Sequence, residues 1–272
     1  MDNILKEIAE QYSKLNCVYA VVQAGSRTSN QNDEFSDYDI YIYTDMEIPT
    51  DFREELAKTY TNNYEINNQY FETGDEWILE NGIILDFMFR SPDWIKSSIE
   101  NVFEKHYASN GYTTCFLHNV ATSKILYDKN DWFNNLQNKI SQPYPEELQK
   151  NIIKRNLMLL KDKKCSSYFD QIKLAIKRQD PVGINHRITA FLASYFDILF
   201  AANKIYHPGE KRLIKYAQTH CKKLPQGFET DITELLEGQN PNKAKIIEMM
   251  DNSISYKKIA KQYKVSVCTV NR

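Results

Sequence analysis

Two apolar runs joined through a glycine–serine turn, the second opening on a pair of carboxylates, constrain this chain more than any other feature. Residues 17–24 are rich in β-favouring side chains (Val18, Tyr19, Val21, Val22) and predict a strand. Gly25-Ser26 starts a turn or a helix, and residues 28–34 are polar and without apolar period, as in a loop. Residues 38–43 predict a second strand, entered through Ser36-Asp37-Tyr38-Asp39. Strand side chains alternate between faces, so Asp37 and Asp39 point the same way. Two acids side by side repel each other unless a cation lies between them. Backbone N–H groups of a small-residue turn can hold phosphate oxygens. A metal beside a phosphate points to phosphoryl or nucleotidyl transfer.

A third carboxylate strengthens this. Asp86 interrupts the run Ile83-Ile84-Leu85-Asp86-Phe87-Met88-Phe89, which holds no other polar group. An unpaired carboxylate there costs several kcal/mol, of order 2–7, or takes up a proton. A cation shared with Asp37 and Asp39 removes that cost. Hard oxygen ligands completed by phosphate oxygens suit Mg²⁺. Two such ions, about 3.5–4 Å apart, can clamp the attacking and leaving oxygens of an in-line displacement. Glu76 and Glu80 are secondary candidates for a general base. Lys211 and Arg212 follow His207-Pro208-Gly209 at the expected start of a helix, where they close on a triphosphate or form a solvated first turn. His186-Arg187 read as core-edge residues. Tyr38, Tyr41 and Tyr43 read as strand residues with surface hydroxyls, able to stack on a base or sugar.

The rest of the chain supplies the frame. Ile4, Leu5, Ile8, Tyr12 and Leu15 recur at helical spacing. Residues 49–60 predict a helix and 64–71 a strand. Residues 77–80 and 83–89 flank Asn81-Gly82, a strong hairpin signal. Ser91-Pro92 is an N-cap followed by an N1 proline, and residues 125–127 predict one more short strand. Two prolines in Ser141-Gln142-Pro143-Tyr144-Pro145 mark a linker, after which helical periodicity dominates. Asp180-Pro181 caps a long apolar helix expected to reach about residue 206. The fold class expected is α+β: a catalytic domain over residues 1–140, with a mixed β-sheet flanked by helices, and an all-helical domain over residues 146–272.

At 272 residues and 42% apolar content the chain can bury a sizeable core, and its net charge of −2 gives no global pull toward nucleic acid or an anionic membrane. The five cysteines (Cys17, Cys115, Cys165, Cys221, Cys268) are scattered, without metal-binding spacing, as expected of reduced thiols in a cytoplasm. The most apolar stretch, residues 188–202, is broken by Asp197 and too short to span a bilayer.

Gly25-Ser26, then Asp37-Tyr38-Asp39, then Asp86 in a later apolar strand resembles the signature of the nucleotidyltransferase superfamily typified by DNA polymerase beta. Gly25-Ser26-Arg27-Thr28 and Asp37-Tyr38-Asp39-Ile40 look most like bacterial aminoglycoside (streptomycin-type) adenylyltransferases. The match covers the first third of the chain. The resemblance implies that Ser26 and the backbone amides around Gly25 hold the β- and γ-phosphates of a nucleoside triphosphate, with Arg27 and Lys211 as further nucleotide-binding candidates. It implies that Asp37, Asp39 and Asp86 carry two Mg²⁺ ions, Asp86 lying near the acceptor hydroxyl. The reaction implied is transfer of a nucleoside monophosphate, AMP from ATP, to a hydroxyl of a small molecule such as an aminoglycoside, with pyrophosphate leaving. A polycationic acceptor calls for acids in the second half, where Asp170, Asp180, Asp197 and Glu210 are available.

Residues 254–272 (ISYKKIAKQYKVSVCTVNR) resemble a bacterial helix-turn-helix that ends inside the would-be recognition helix. Two other functions therefore stay open: nucleotidyl transfer to a protein or RNA, as in toxin–antitoxin systems, and a nucleotide-binding regulator acting through this tail.

Overall fold

The computed structural model describes residues 1–28, 36–70, 72–161 and 166–237. The chain divides into two compact units, residues 1–101 with 116–143 and residues 102–115 with 144–272.

The first unit is built on one sheet. Helix α1 (Asp2–Ser13) leads into β1 (Val18–Ala24) and β2 (Tyr38–Thr44). Helix α2 (Thr50–Lys58) connects to β3 (Asn63–Asn68), β4 (Gly74–Ile78) and β5 (Ile84–Arg90). Helices α3 (Pro92–Ile99) and α4 (Cys115–Thr122) follow, then β6 (Lys124–Asp128) and α5 (Trp132–Ile140). The six strands run in the order β3-β4-β5-β2-β1-β6. Among the described strands only β2 and β5 pair in parallel, through the crossover that carries α2 and the β3–β4 hairpin, so the sheet is mixed.

Alternation decides the faces. Ile40 and Ile42 of β2 and Leu85 and Phe87 of β5 join Trp77, Val21 and the α1 side chains Leu5, Ile8 and Tyr12 in one core. The intervening residues, Asp39, Tyr41 and Tyr43 on β2 and Asp86, Met88 and Arg90 on β5, therefore face the other way. Tyr43 does not carry a surface hydroxyl: it is fully buried, its ring 5.3 Å from Trp132 and 5.4 Å from Phe133 at the start of α5. Tyr41 is 7% exposed, with the Arg90 guanidinium 3.8 Å above its ring and its hydroxyl accepting from Asn119 Nδ2 at 3.3 Å. Both faces of this sheet are covered near its centre, which a reading of β2 as a one-sided strand could not foresee.

Local sequence sets the turns. The Asn81-Gly82 hairpin closes with Gly82 N–H donating to Leu79 O (2.8 Å) and Leu79 N–H to Ile83 O (2.9 Å); Gly82 sits at φ +78°, so the turn uses the glycine in a left-handed position beside a bulge. The first strand of this hairpin starts at Gly74, earlier than its apolar pattern implied. Ser91 Oγ accepts from Trp94 N–H and Pro92 occupies N1 of α3, which runs into one π-helical turn over Glu100–Glu104.

The described part of the second unit is helical: α6 (Glu146–Leu160), α7 (Tyr168–Arg178), α8 (Pro181–Ala202), α9 (Leu213–His220) and α10 (Phe228–Glu237). Its core gathers Ile152, Phe169, Phe191, Phe196 and Phe200. Asp180 caps α8 by accepting from Gly183 N–H at 2.9 Å. The helix stops at Ala202, short of residue 206: Lys204 turns left-handed (φ +56°), Ile205 N–H bonds back to Phe200 O and Lys204 N–H to Ala201 O. This stop was hidden because a lysine occupies the position usually marked by glycine. No described helix is long and apolar enough to cross a membrane.

Candidate active site

The sheet register assembles the acids. Asp39 of β2 pairs with Asp86 of β5, and Asp86 in turn pairs with Glu76 of β4. Directly paired residues share a face, so these three carboxylates form a row across adjacent strands on the side away from α1 and α2. Asp37 lies just before β2 and is exposed. Burial, then the neighbouring charges of Asp39, Glu76 and Asp37, push the Asp86 carboxyl up to about 6, with Arg90 opposing them. The Asp86 proton is thus held by desolvation and by three like charges together.

The glycine of the turn is required by the first acid. Gly25 adopts φ +73°, and a Cβ built on it would stand 1.7 Å from Asp39 Oδ2 and 2.5 Å from its Cγ. The Asp39 carboxylate therefore packs directly on the Gly25 backbone, and no other residue fits both the conformation and the space. Ala24 pairs with Asp39 in the β1–β2 ladder, which brings the end of one strand and the start of the other to this point. Thr28 N–H and hydroxyl both donate to Gly25 O, at 3.3 and 3.0 Å, folding residues 25–28 into a tight turn that also contains Ser26.

Arg27 is committed to this turn. Its Nε donates to Ser36 O (2.8 Å) and Asp37 O (3.2 Å), its Nη2 also reaches Ser36 O, and the guanidinium lies 4.1 Å over the Tyr38 ring. It ties the two ends of the 29–35 segment together.

Gly25, Ser26, Arg27, Asp37, Asp39 and Asp86 all belong to the first unit. Lys211 belongs to the second, where it is exposed and precedes Arg212, the left-handed N-cap of α9 (φ +54°). Of the four acids singled out in the second unit, Glu210 is exposed and the other three have structural partners. Asp170 completes a capping box with Ser167, and Asp180 caps α8. Asp197 is 1% exposed; it accepts from Thr113 N–H (3.1 Å), Thr113 Oγ1 (2.7 Å) and Asn156 Nδ2 (3.0 Å). His186 and Arg187 are exposed on α8. The described cysteines, Cys17, Cys115 and Cys221, are not joined in disulfides among the described residues. Cys165, Cys268 and the helix-turn-helix-like stretch 254–272 lie outside the described residues.

The donor set suits a hard cation: oxygen ligands on one face, with a mutual repulsion that a cation relieves. Among the described residues no three acidic, imidazole or thiol groups converge as a ready-made metal centre. Mg²⁺ commonly takes only one or two carboxylates and fills its shell with water and substrate phosphates, and the Asp39–Asp86 pair supplies that much. The register exposes one participant that sequence ranked low: Glu76, recognisable only once β4 and β5 are aligned.

A family model described as a domain of unknown function, DUF4037, matches residues 112–213, a span that includes both Thr113 and Asp197. No curated protein matches the chain. Among solved structures, a nucleotidyltransferase-like protein from Exiguobacterium sibiricum 255-15 is similar at 10% identity and TM-score 0.46, over 97% of this chain and 78% of that one. The Thermotoga maritima CCA-adding enzyme complexed with tRNA matches at 10% identity and TM-score 0.27, over 96% and 81% of the two chains. A CCA-adding enzyme complexed with ATP matches at 10% identity and TM-score 0.28, with the same coverage.

Proposed function

We propose that this protein is a metal-dependent nucleotidyltransferase that moves AMP from ATP to a hydroxyl of a small molecule and releases pyrophosphate. The observation that carries the reading is the register of Asp39 opposite Asp86 with the Gly25 backbone packed against the Asp39 carboxylate. It supports the reading because it brings the Gly25 turn and two carboxylates to one point of the sheet.

In this reading Asp37, Asp39 and Asp86 hold two Mg²⁺ ions, which when bound neutralise the triphosphate and polarise the α-phosphoryl group. Ser26 and the backbone amides of residues 25–28 orient the β- and γ-phosphates. Arg27 acts indirectly, by holding the Ser36 and Asp37 carbonyls beside the Gly25 turn. Asp86, next to Glu76, stands where a carboxylate can take the proton of the attacking hydroxyl. Catalysis then rests mainly on positioning and charge neutralisation, as in other phosphoryl transfers. The acceptor is a hydroxyl-bearing small molecule, with aminoglycosides first to be tried, and the setting is the cytoplasm.

The test is transfer of label from α-labelled ATP in the presence of Mg²⁺ to a panel of aminoglycosides and other polyols, to RNA and to protein. Asp39→Asn and Asp86→Asn should each lower transfer by roughly 10²–10³-fold, the scale of removing one group that stabilises transition-state charge. Full activity of Asp39→Asn would refute the metal assignment. Labelling of RNA or protein alone would keep the chemistry and replace the acceptor.

A further inference from the structure

The net charge of −2 conceals a division. Residues 1–143 hold 23 acidic and 11 basic side chains, whereas residues 144–272 hold 13 acidic and 23 basic, net charges of −12 and +10. Charge segregated on this scale bears on association with polyanions.

Helices α6 and α7 show where part of the positive charge gathers. Lys150, Lys154 and Met158 follow one another at i, i+4 and i+8 along α6, all exposed. On α7, Lys173 and Leu174 are followed one turn later by Lys177 and Arg178, again all exposed. Charges four residues apart recur at about 6 Å along a helix. The two helices meet at Phe169: the ammonium of Lys161, just past α6, lies 4.7 Å from the ring centroid and that of Lys173 4.1 Å. Two like charges that repel each other are thus held within about 9 Å.

Nearby acids do not cancel these cations. Glu147 pairs with Lys150 at 3.6 Å and Glu146 with Lys204 at 3.7 Å. Asp170 Oδ2 accepts from the Ser167 amide and hydroxyl, at 3.3 and 2.7 Å. Lys154, Lys173, Lys177 and Arg178 have no ion-pair partner among the described residues, so their charge is open to an incoming anion.

An aromatic ring stands beside the lysines. Residues 106–110 are pinned along α6: Asn151 Nδ2 donates to His106 O (3.0 Å), Asn156 Nδ2 to Ser109 O (3.2 Å) and Arg155 Nε to Asn110 Oδ1 (2.8 Å). This holds Tyr107, 59% exposed, with the Arg155 guanidinium 5.9 Å from its ring centroid. Cations that track a backbone and an exposed ring that takes a base are the parts of a single-strand site. A duplex keeps its base faces stacked inside. An anionic membrane takes helices with a broad apolar face, whereas α6 and α7 expose only Met158 and Leu174 among their large apolar side chains.

We propose that this surface binds single-stranded RNA, its phosphates on Lys154, Lys173, Lys177 and Arg178 and a base stacked on Tyr107. The experiment is fluorescence anisotropy of the full chain, without ATP, against a labelled, unstructured RNA of about 20 nucleotides, from about 50 to 200 mM KCl. Kd should lie below about 10 μM at the lower salt and rise about 50-fold at the higher, for about four phosphate contacts at about 0.7 each in the logarithmic slope. Lys154→Gln with Lys177→Gln should weaken binding at least about tenfold and halve that slope. Lys215→Gln with Lys222→Gln, an equal loss of exposed charge elsewhere on the unit, should change Kd less than about threefold. Tyr107→Ala should weaken binding at least about fivefold and leave the slope unchanged. All five substituted residues are exposed, so each variant should keep the wild-type Tm. Absence of binding at the lower salt overturns the proposal, as does a Kd that ignores salt. So does tighter binding to duplex DNA or to phosphatidylserine vesicles, equal weakening by the two lysine pairs, or wild-type affinity in Tyr107→Ala. The readout needs no nucleotide and no residue of the carboxylate row, so it succeeds or fails apart from nucleotidyl transfer.

Discussion

Asp197 offers a quantitative test of how burial and hydrogen bonding compete in the helical unit. Its carboxylate receives three hydrogen bonds, from the Thr113 amide, the Thr113 hydroxyl and Asn156, yet burial outweighs them and pushes the carboxyl from 3.8 up to about 6. A native value above the unfolded one means that the folded protein binds the proton more tightly. The destabilisation from the ionised form is absent below about pH 4 and complete above about pH 6. The shift of about two units corresponds to about 3 kcal/mol at 1.36 kcal/mol per unit. Asp197→Asn removes the charge and keeps the shape. Its oxygen can still accept from the Thr113 amide, but its NH₂ meets the Asn156 NH₂, donor against donor, a loss of about 1 kcal/mol. The variant should therefore be about 1 kcal/mol less stable than wild type near pH 4 and about 2 kcal/mol more stable at pH 7.5. Urea unfolding of both proteins at half-unit steps from pH 4 to 7.5 measures this. Every other titrating group is common to the two, so the difference between the curves isolates Asp197. A flat difference, or one of opposite slope, would show that the hydrogen bonds outweigh burial and refute the reasoning.

Gly25→Ala should lower transfer activity by about 10²-fold or more, because a methyl 1.7 Å from Asp39 Oδ2 displaces that carboxylate by more than the roughly 1 Å that already costs such a factor; steady-state kinetics with labelled ATP reads it, and unchanged kcat/KM would show that Asp39 does not need this seat. Arg53→Ala should destabilise the first unit by about 3–5 kcal/mol, since it leaves Asp75 buried and unpaired, whereas the double change Arg53→Met with Asp75→Leu should recover most of that loss; chemical denaturation compares them. Ser167→Ala should cost about 1 kcal/mol by removing the α7 capping box, a change visible as a lowered urea midpoint at constant slope.

What could be read from sequence follows from the range over which each signal acts. The Gly25 turn, both flanking strands, the Asn81-Gly82 hairpin and the Ser91-Pro92 and Asp180-Pro181 caps are local: the residues that specify each element lie within a few positions of it. Asp86 was visible as well, because a carboxylate inside an apolar strand conflicts with its surroundings at any register. The remainder depended on pairing. Glu76 becomes a neighbour of Asp86 only when β4 and β5 align, and the burial of Tyr43 depends on Trp132 and Phe133, nearly ninety positions downstream. Helix α4 is short and carries little periodic signal of its own, whereas α5 has Phe133, Leu136 and Ile140 at helical spacing on its buried face.

The two ends of the β2–β5 pair show what this dependence implies for function. At the start of the strands, like charges gather against a backbone turn, and burial together with the charges of Asp39, Glu76 and Asp37 raises the Asp86 carboxyl. At their far end, opposite charges pair off as Arg53 with Asp75 and Arg90 with Glu72. Both arrangements arise from the same crossover: α2 and the β3–β4 hairpin return the chain to lay β5 parallel to β2, which aligns Asp86 with Asp39 at one end and Arg90 with Tyr43 at the other. Moving the register by one residue would turn every β5 side chain to the opposite face, exposing Leu85 and Phe87 and burying Asp86. The hydrophobic alternation that fixes the core thereby also fixes where the carboxylate row stands, so a variant that keeps the core should keep that row even where surface loops change.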